Sequence, residues 1–585
     1  MKILLITLTI VQAWAGEKLA PGLETATGTV EVLVQYQAEP NAADGATVQK
    51  HGGVVKGSFG KSKSSLVSVS AAALASLARD PAIRYISPNR TVSARLDYAL
   101  PTVGADVAAS YGLTGEGIGV AIVDSGIDNH WDLTNITAGS NGAKGSRVVY
   151  YESFVPGQSG RNAAAAQDEF GHGTLVAGIA SGNGWSSTGS WYSKTYRGMA
   201  PRVKLINLRA LDGTGNGTDA AVIAAIERAI ELKSTYNIRI LNLSLGRPVF
   251  ESFTKDPLCQ AVEAAWRAGI VVVVAAGNDG RINSAGTSGY GTINSPGNDP
   301  LVITVGAMKT SGTPQRSDDR IASYSSKGPT AIDHVVKPDL VAPGNRIASL
   351  ASSNRSALST AYPTNNVKNS EYQFSGTDNY SYVYYRMSGT SMAAPMVTGA
   401  AALLLQKEPA LTPDQVKARL MKTAAKSFPA TSTAVDPVSG ETFTSQYDIF
   451  TIGAGYLDVA AALNNRDVAT GRAYSPMAVF DAASGQVQLV TNASAVWGTS
   501  ALWGSSAVWG SSAVWGTSAV WGSTTVNGTS ALWGSSAVWG SSNSTAFSAL
   551  WGSSALWGSS ALWGSGSSTA ALGSNWLSIA LNGEN

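Results

Sequence analysis

The sequence predicts an α/β protein built on a doubly wound, mostly parallel sheet, and three observations carry that expectation. Short, continuous Val/Ile/Leu-rich runs recur between residues 97 and 465: GVAIVDSG, VKLINLRAL, IRILNLSLG, IVVVVAAGN and PLVITVGAM. Strands buried on both faces read this way. Between them, residues 219–236 and 259–269 carry apolar residues at helical spacing. A third run, 392–406, is apolar on every face and predicts a central buried helix. In such a fold ligands bind at the carboxyl ends of the strands, where Asp124 and Asn278 fall.

The remaining segments follow in chain order. Residues 1–15 have a basic start at Lys2, an apolar run from Ile3 to Val11, and Ala13-Trp14-Ala15, an A-x-A cleavage signal. That is the pattern of a secretory signal peptide, too short to anchor in a bilayer; the alternative is a buried N-terminal strand. Residues 29–96 read as a small α+β unit. Strands are expected at 30–37 and, as a pair, within 54–70. A short helix over 71–79 is stopped by Asp80-Pro81, and a last strand covers 82–88. Strand, helix, strand, strand, helix, strand is a ferredoxin-like plan. Residues 97–465 form the large α/β domain and 466–490 a weakly patterned connector. Residues 491–566 form a repeat and 567–585 a tail.

The repeat is A-V/L-W-G-S-S with a period of six, from Trp497 to Trp563. Two beats lack tryptophan, at Asn527 and Thr545, and both keep the register. A triangular β-helix would turn the tryptophans outward, as a surface for a solid support, a glycan or a second copy of the chain. The alternative is a flexible, Gly/Ser-rich low-complexity tail.

Composition narrows the function classes. With 44% hydrophobic and 14% charged residues the chain is globular. A net charge of +2, with no cluster of Lys or Arg, argues against nucleic acid as a partner. The single cysteine, Cys259, excludes an internal disulfide and reads as a small buried hydrophobe. No Cys/His cluster suggests zinc, and no metal-binding residue is assigned.

Three segments carry chemistry. Ser391 stands in GTSMA, where Gly389 permits a tight turn and the serine opens the buried helix. A hydroxyl there faces free backbone N–H groups able to stabilise an oxyanion. His172 starts the helical run HGTLVAGIA between Gly171 and Gly173, and Asp124 ends a hydrophobic strand. The order Asp, His, Ser is the one found in subtilisin. On these motifs the chain resembles the subtilisin family of secreted serine proteases.

The resemblance implies that Ser391 attacks the peptide carbonyl, His172 shuttles the proton and Asp124 orients the imidazole. Asn278, in VVVVAAGND, is similar to the family's side-chain donor in the oxyanion hole. Ser244, Leu245 and Gly246 resemble the strand that pairs with an extended substrate. With Ala275, Ala276 and Gly277 they would wall the first specificity pocket. Its floor, near Asn294, does not align, so side-chain preference is not read. KPDLVAPG (337–344) and YSSKGP (324–329) are also family-like and read as structural turns. Residues 29–96, especially LARDPAIRYISPN (77–89), resemble the propeptide that chaperones and then inhibits such enzymes. The segment after it, within 90–98, would lie in the cleft and be cut by the enzyme itself.

Two departures are notable. The loop 181–201 is long and lacks the family's calcium pattern; structural calcium stays open with no motif behind it, and catalysis requires no cofactor. Residues 345–386 are a Ser/Asn/Tyr-rich insertion expected to rim the cleft. The resulting expectation is a secreted serine endopeptidase acting on proteins or peptides. It would be made as a self-processed zymogen with its own propeptide as intramolecular inhibitor, and with no transmembrane anchor. The alternative is a surface adhesive or matrix protein whose protease domain serves self-processing. Carboxyl serine peptidases share the GTS context but use Glu in place of His, which the intact HGTLVAG argues against.

Overall fold

The computed structural model describes residues 18–20, 23, 26–60, 63–88, 98–135, 145–282, 287–353, 355–481, 486–490 and 578–584. The signal-peptide reading, the self-cleavage stretch up to residue 97 and the tryptophan repeat lie outside these residues. The chain divides into two units, 1–94 and 95–585.

In the first unit the predicted plan is realised. Strand β1 (Thr29–Tyr36) is followed by helix α1 (Ala42–Lys50), β2 (Val54–Phe59), β3 (Ser64–Ser70), α2 (Leu74–Leu77) and β4 (Ile83–Pro88). The sheet order is β2-β3-β1-β4, antiparallel throughout. Alternation along β1 sends Val32, Val34 and Tyr36 inward to meet Val67, Val69 and Leu77. No apolar stripe announces α1. The Asn41 side chain accepts from Ala43 N–H and Asp44 N–H, and Asp44 answers the Asn41 N–H, a capping box that starts the helix.

The second unit holds a twisted sheet. Its strands are β5 (Gly119–Asp124), β6 (Val148–Ser153), β7 (Lys204–Arg209), β8 (Ile238–Leu243), β9 (Val271–Ala275) and β10 (Ile303–Lys309), in the order β10-β9-β8-β5-β7-β6. All these pairs are parallel. The short strands β11 (Arg320–Ile321), antiparallel, and β12 (Leu340–Pro343), parallel, both pair with β10. Because β5 runs between β7 and β8, the strand order reverses beside it, and a crevice opens at the carboxyl end of that strand.

Helices pack on this sheet. Helix α3 (Gly173–Ser181) lies against α6 (Thr390–Lys407), and α6 crosses β8, β9 and β10. The expectation for 392–406 holds: Leu403, Leu404 and Leu405 are all buried, each stabilising the fold by about 1.5–3 kcal/mol. Helices α4 (Asp219–Glu231) and α5 (Pro257–Arg267) pack against each other, and are capped by Thr218 and Asp256. Cys259 on α5 is fully buried and its thiol donates to Asn298 Oδ1 at 3.2 Å. KPDLVAPG, read from the sequence as a turn, instead runs into strand β12; at its start Lys337 and Asp339 form a buried ion pair at 2.7 Å, with Lys417 of α7 (Pro413–Thr423) 3.1 Å from the same carboxylate.

Two expectations require correction. The insertion 345–386 does not rim the cleft. It folds into a small sheet of β13 (Ile347–Leu350), β14 (Asn366–Lys368) and β15 (Tyr380–Met387). Its aromatic residues pack instead on the 181–201 loop: the Tyr384 ring lies 4.7 Å from that of Tyr196, and its hydroxyl donates to Asp132 and is hydrogen-bonded to the Ser187 hydroxyl. The insertion abuts the segment before His172, with Ala357 N–H and Leu358 N–H bonded to the Glu169 and Phe170 carbonyls, but it contributes no lining residue to the cleft while its tyrosines are buried on the other side. Nor do residues 578–584 trail away. Residues 578–582 are helical, and Ile579, Ala580 and Glu584 are buried in the second unit.

Candidate active site

Asp124 is the last residue of β5 and His172 the residue before α3. A Cβ on Gly173 would collide with the Gly126 carbonyl, so glycine lets the start of α3 press onto the turn after β5. The contact brings His172 Nδ1 to 2.7 Å from Asp124 Oδ1, which also accepts the Ser125 N–H at 2.7 Å. Both side chains are buried. Burial alone would lower the His172 pKa; the Asp124 charge and hydrogen bond, with a smaller pull from Asp168, outweigh it, and the net shift is upward.

Ser391 is the second residue of α6, after Gly389 at φ +147, a conformation that favours glycine. Its hydroxyl donates to the Ser244 carbonyl at 3.0 Å, and Ser244 Oγ returns a bond to the Ser391 carbonyl at 2.8 Å. Asn278 follows β9. Its Oδ1 accepts from Thr390 N–H at 2.9 Å and from Thr390 Oγ1 at 3.1 Å. With the oxygen so engaged, the Nδ2 amide is left as the donor beside the helix start that carries Ser391.

His172, Asn278 and Ser391 line one cleft, from three segments more than a hundred residues apart, with Asp124 behind the imidazole. The comparisons agree with this geometry. Residues 115–440 match the family model described as the subtilase family. The chain is 38% identical over 371 residues to the serine protease AprX of Bacillus subtilis, covering 62% of this chain and 74% of that protein. It is 32% identical over 366 residues to subtilisin DY of Bacillus licheniformis, covering 62% of this chain and 97% of the relative. The chain belongs to the subtilase family. It is a subtilisin-like serine protease.

In this subtilase the cleft is also lined by Ser244, Leu245, Gly246, Ala275 and Gly277, as the sequence suggested, and by Asn294. Ala276 is not among the lining residues. It is fully buried, its N–H bonds to the Val305 carbonyl at 3.0 Å, and its carbonyl accepts from Asn294 N–H at 3.0 Å. Successive residues leaving a strand point to opposite faces, so Ala275 and Gly277 face the cleft and Ala276 does not.

The sequence reading missed Asp168. This fully buried carboxylate accepts the Gly171 N–H at 2.7 Å, the Thr174 N–H at 2.8 Å and the Ser125 hydroxyl at 2.7 Å, while Ser125 Oγ accepts the Gly173 N–H at 3.0 Å. It therefore ties the turn after β5 to the first turn of α3 around His172. Burial pushes its pKa up to about 6 against those donors. Thr390 was missed in the same way, although it stands beside the serine. Among the described residues no group of three or more His, Cys, Asp or Glu side chains could hold a metal ion, and the 181–201 loop is tied by Ser186 N–H to Asp132 Oδ1 at 2.8 Å.

Proposed function

We propose that this subtilase is a secreted endopeptidase that cleaves peptide bonds through Asp124, His172 and Ser391. The observation that carries the reading is the 2.7 Å bond from His172 Nδ1 to Asp124 in the cleft that Ser391 lines. With Nδ1–H held by the carboxylate, Nε2 is the free base. Ser391 Oγ exchanges its bond to the Ser244 carbonyl for one to Nε2 by rotation about Cα–Cβ. Oγ attacks the substrate carbonyl as Nε2 takes its proton; the imidazolium is stabilised by Asp124 and then protonates the leaving amine. The tetrahedral oxygen is held by Asn278 Nδ2 and a backbone N–H at the start of α6. Water then repeats the sequence on the acyl-enzyme. No step calls on a cofactor.

The first unit supports a zymogen: from Leu19 to Ile86 it has a core of its own, followed in sequence by a stretch that the enzyme would cut. The apolar run at 3–11 with A-x-A at 13–15 supports export. Among the described residues no helix is long and apolar enough to cross a membrane.

The test is the chain without residues 1–15, as wild type and as Ser391→Ala, followed by intact mass and a fluorophosphonate probe. We expect wild type to shed its N-terminal unit, take the probe and digest added protein, while the variant stays whole and unlabelled. Identical behaviour of the two would overturn the assignment. Self-cleavage with no action on added protein would favour the adhesive or matrix reading.

A further inference from the structure

The chain on both sides of the tryptophan repeat belongs to the second unit. Before the repeat, Met477–Asp481 and Gln486–Val490 pair as a hairpin, and the Ala478 N–H bonds to the His334 carbonyl at 2.9 Å. After it, residues 578–584 sit in a slot that bonds the backbone of Ala580, Leu581 and Glu584 and one carboxylate oxygen of Glu584, while Glu584 Oε2 is buried without a partner among the described residues. Ser388 N–H donates to the Ala580 carbonyl at 2.8 Å, and Asn365 Nδ2 to the Leu581 carbonyl at 2.7 Å. Asn345 exchanges two bonds of 2.9 Å with the backbone of Glu584.

The Glu584 side chain is 1% exposed. Its Oε1 accepts from Ser323 N–H at 2.7 Å, from the Ser323 hydroxyl, and from Arg281 at 3.0 Å. A buried carboxylate persists only where charge and donors meet it, and Arg281, itself 6% exposed in its side chain, supplies the charge. Gly583, at φ +61, lies where a Cβ would collide with Ser388 Oγ and Asn345. A nonspecific contact has no reason to combine a paired buried charge, bonded backbone groups and a left-handed position crowded by Ser388 and Asn345 that favours glycine.

Ala580 lines the catalytic cleft beside Met387 and Ser388, the latter three residues before the proposed nucleophile. On the proposed function, Ser244–Gly246 with Ala275 and Gly277 serve the acyl half of the substrate. We propose that residues 578–584 are a strap that returns past the repeat to complete the cleft wall, with Ala580 facing the leaving-group half of the substrate. Retention of the strap is independent of the catalytic reading; the role given to Ala580 rests on it.

The experiment has two arms. In the first, the full chain carries Ser391→Ala and a recognition sequence for a site-specific protease inserted after Gly566. After cutting, the fragment beginning at residue 567 should stay with the body through size exclusion, and Gly583→Val or Glu584→Lys should release it. Release from the parent, or retention in both variants, would overturn the strap. In the second arm the uncut active chain carries Ala580→Leu. The ratio of kcat/KM for a peptide extending three residues past the scissile bond, to that for an anilide of the same acyl sequence, should fall about tenfold. An unchanged ratio would overturn the role of Ala580. Absence of all activity in the parent would instead sink the proposed function, and the first arm would still decide the strap.

Discussion

His172 Nδ1 and Asp124 Oδ1 are 2.7 Å apart, whereas the second carboxylate oxygen, Asp124 Oδ2, is buried with no hydrogen-bond partner among the described residues. The charge of Asp124 is thus held against the imidazole without a donor on Oδ2 to dissipate it. That arrangement favours the imidazolium that forms during proton transfer and fixes the pH range in which the base works.

The pH profile follows from it. His172 must be neutral to accept the serine proton, and its pKa is raised above 6.5 in the fold. The acid limb of kcat/KM is therefore expected at an apparent pKa above 6.5. The same shift adds stability that is complete below pH 6.5 and is lost as pH rises through the folded value. Asp124→Asn should move the acid limb to lower pH and cut kcat by about 10⁴, a magnitude that belongs to other enzymes carrying this triad. A limb left in place would refute the pairing.

Asn278 is testable by kcat alone. Its Oδ1 is spent on Thr390, which leaves Nδ2 for charge that exists only in the transition state. Asn278→Ala should lower kcat by about 10²–10³ with little change in KM, a size taken from a subtilisin's own oxyanion donor and not from this chain. Thr390→Val, which removes the Oγ1 bonds to Asn278 and Gly277, should give a smaller loss of the same kind. Steady-state kinetics on one peptide substrate separates the two.

The legible and illegible parts of this site divide along a physical line. Asp124, His172 and Ser391 each stand beside glycines that the local backbone demands, so short windows betray them. Asp168 has no such window: its partners come from residues 125, 171 and 174, and only the folded turn brings Ser125 to it. Ala276 stands behind the lining formed by Ala275 and Gly277, and a stretch of sequence does not say which of three consecutive residues faces a cleft. Long apolar runs made the parallel sheet readable. The insertion's destination was not, because tyrosines announce burial without naming their partner. Residues 578–584 were unreadable for another reason: their stability comes from Arg281, Ser323 and Asn345, far away in sequence.

Asp168 should behave as a positioning residue. Asp168→Asn puts an amide where the carboxylate accepted from Gly171, Thr174 and Ser125, so at least one donor meets another donor and the start of α3 shifts. A displacement of about 1 Å at His172 would lower kcat by about 10². Loss of the Asp168 charge should also move the acid limb slightly lower, in the direction of Asp124→Asn, which a purely structural role would not do. Its own titration carries the same sign for stability as that of His172. A carboxyl raised to about 6 contributes stability present below 3.8 and lost as pH rises through 6. Denaturant melts between about pH 4 and 7 should show a drop in wild type that the variant lacks.

The fold has its own test, away from the cleft. Asp339 is fully buried between Lys337 at 2.7 Å and Lys417 at 3.1 Å, and accepts the Ser475 hydroxyl at 2.5 Å. Asp339→Ala leaves two buried ammonium groups without their carboxylate, which should cost about 3–5 kcal/mol. The penalty carries a sign with pH. Burial pushes the Lys417 pKa down to about 7, so this lysine contributes stability that is present above 10.5 and lost as pH falls through 7. Removing Asp339 strips away the charge that favours the protonated form, and drives that loss to be felt most where the lysines must be charged. Urea melts in a Ser391→Ala background, which avoids self-digestion, should show a larger deficit for Asp339→Ala at about pH 6 than at about pH 9. A deficit equal at both values would mean that the cavity left by the side chain, and not the unpaired charge, sets the cost.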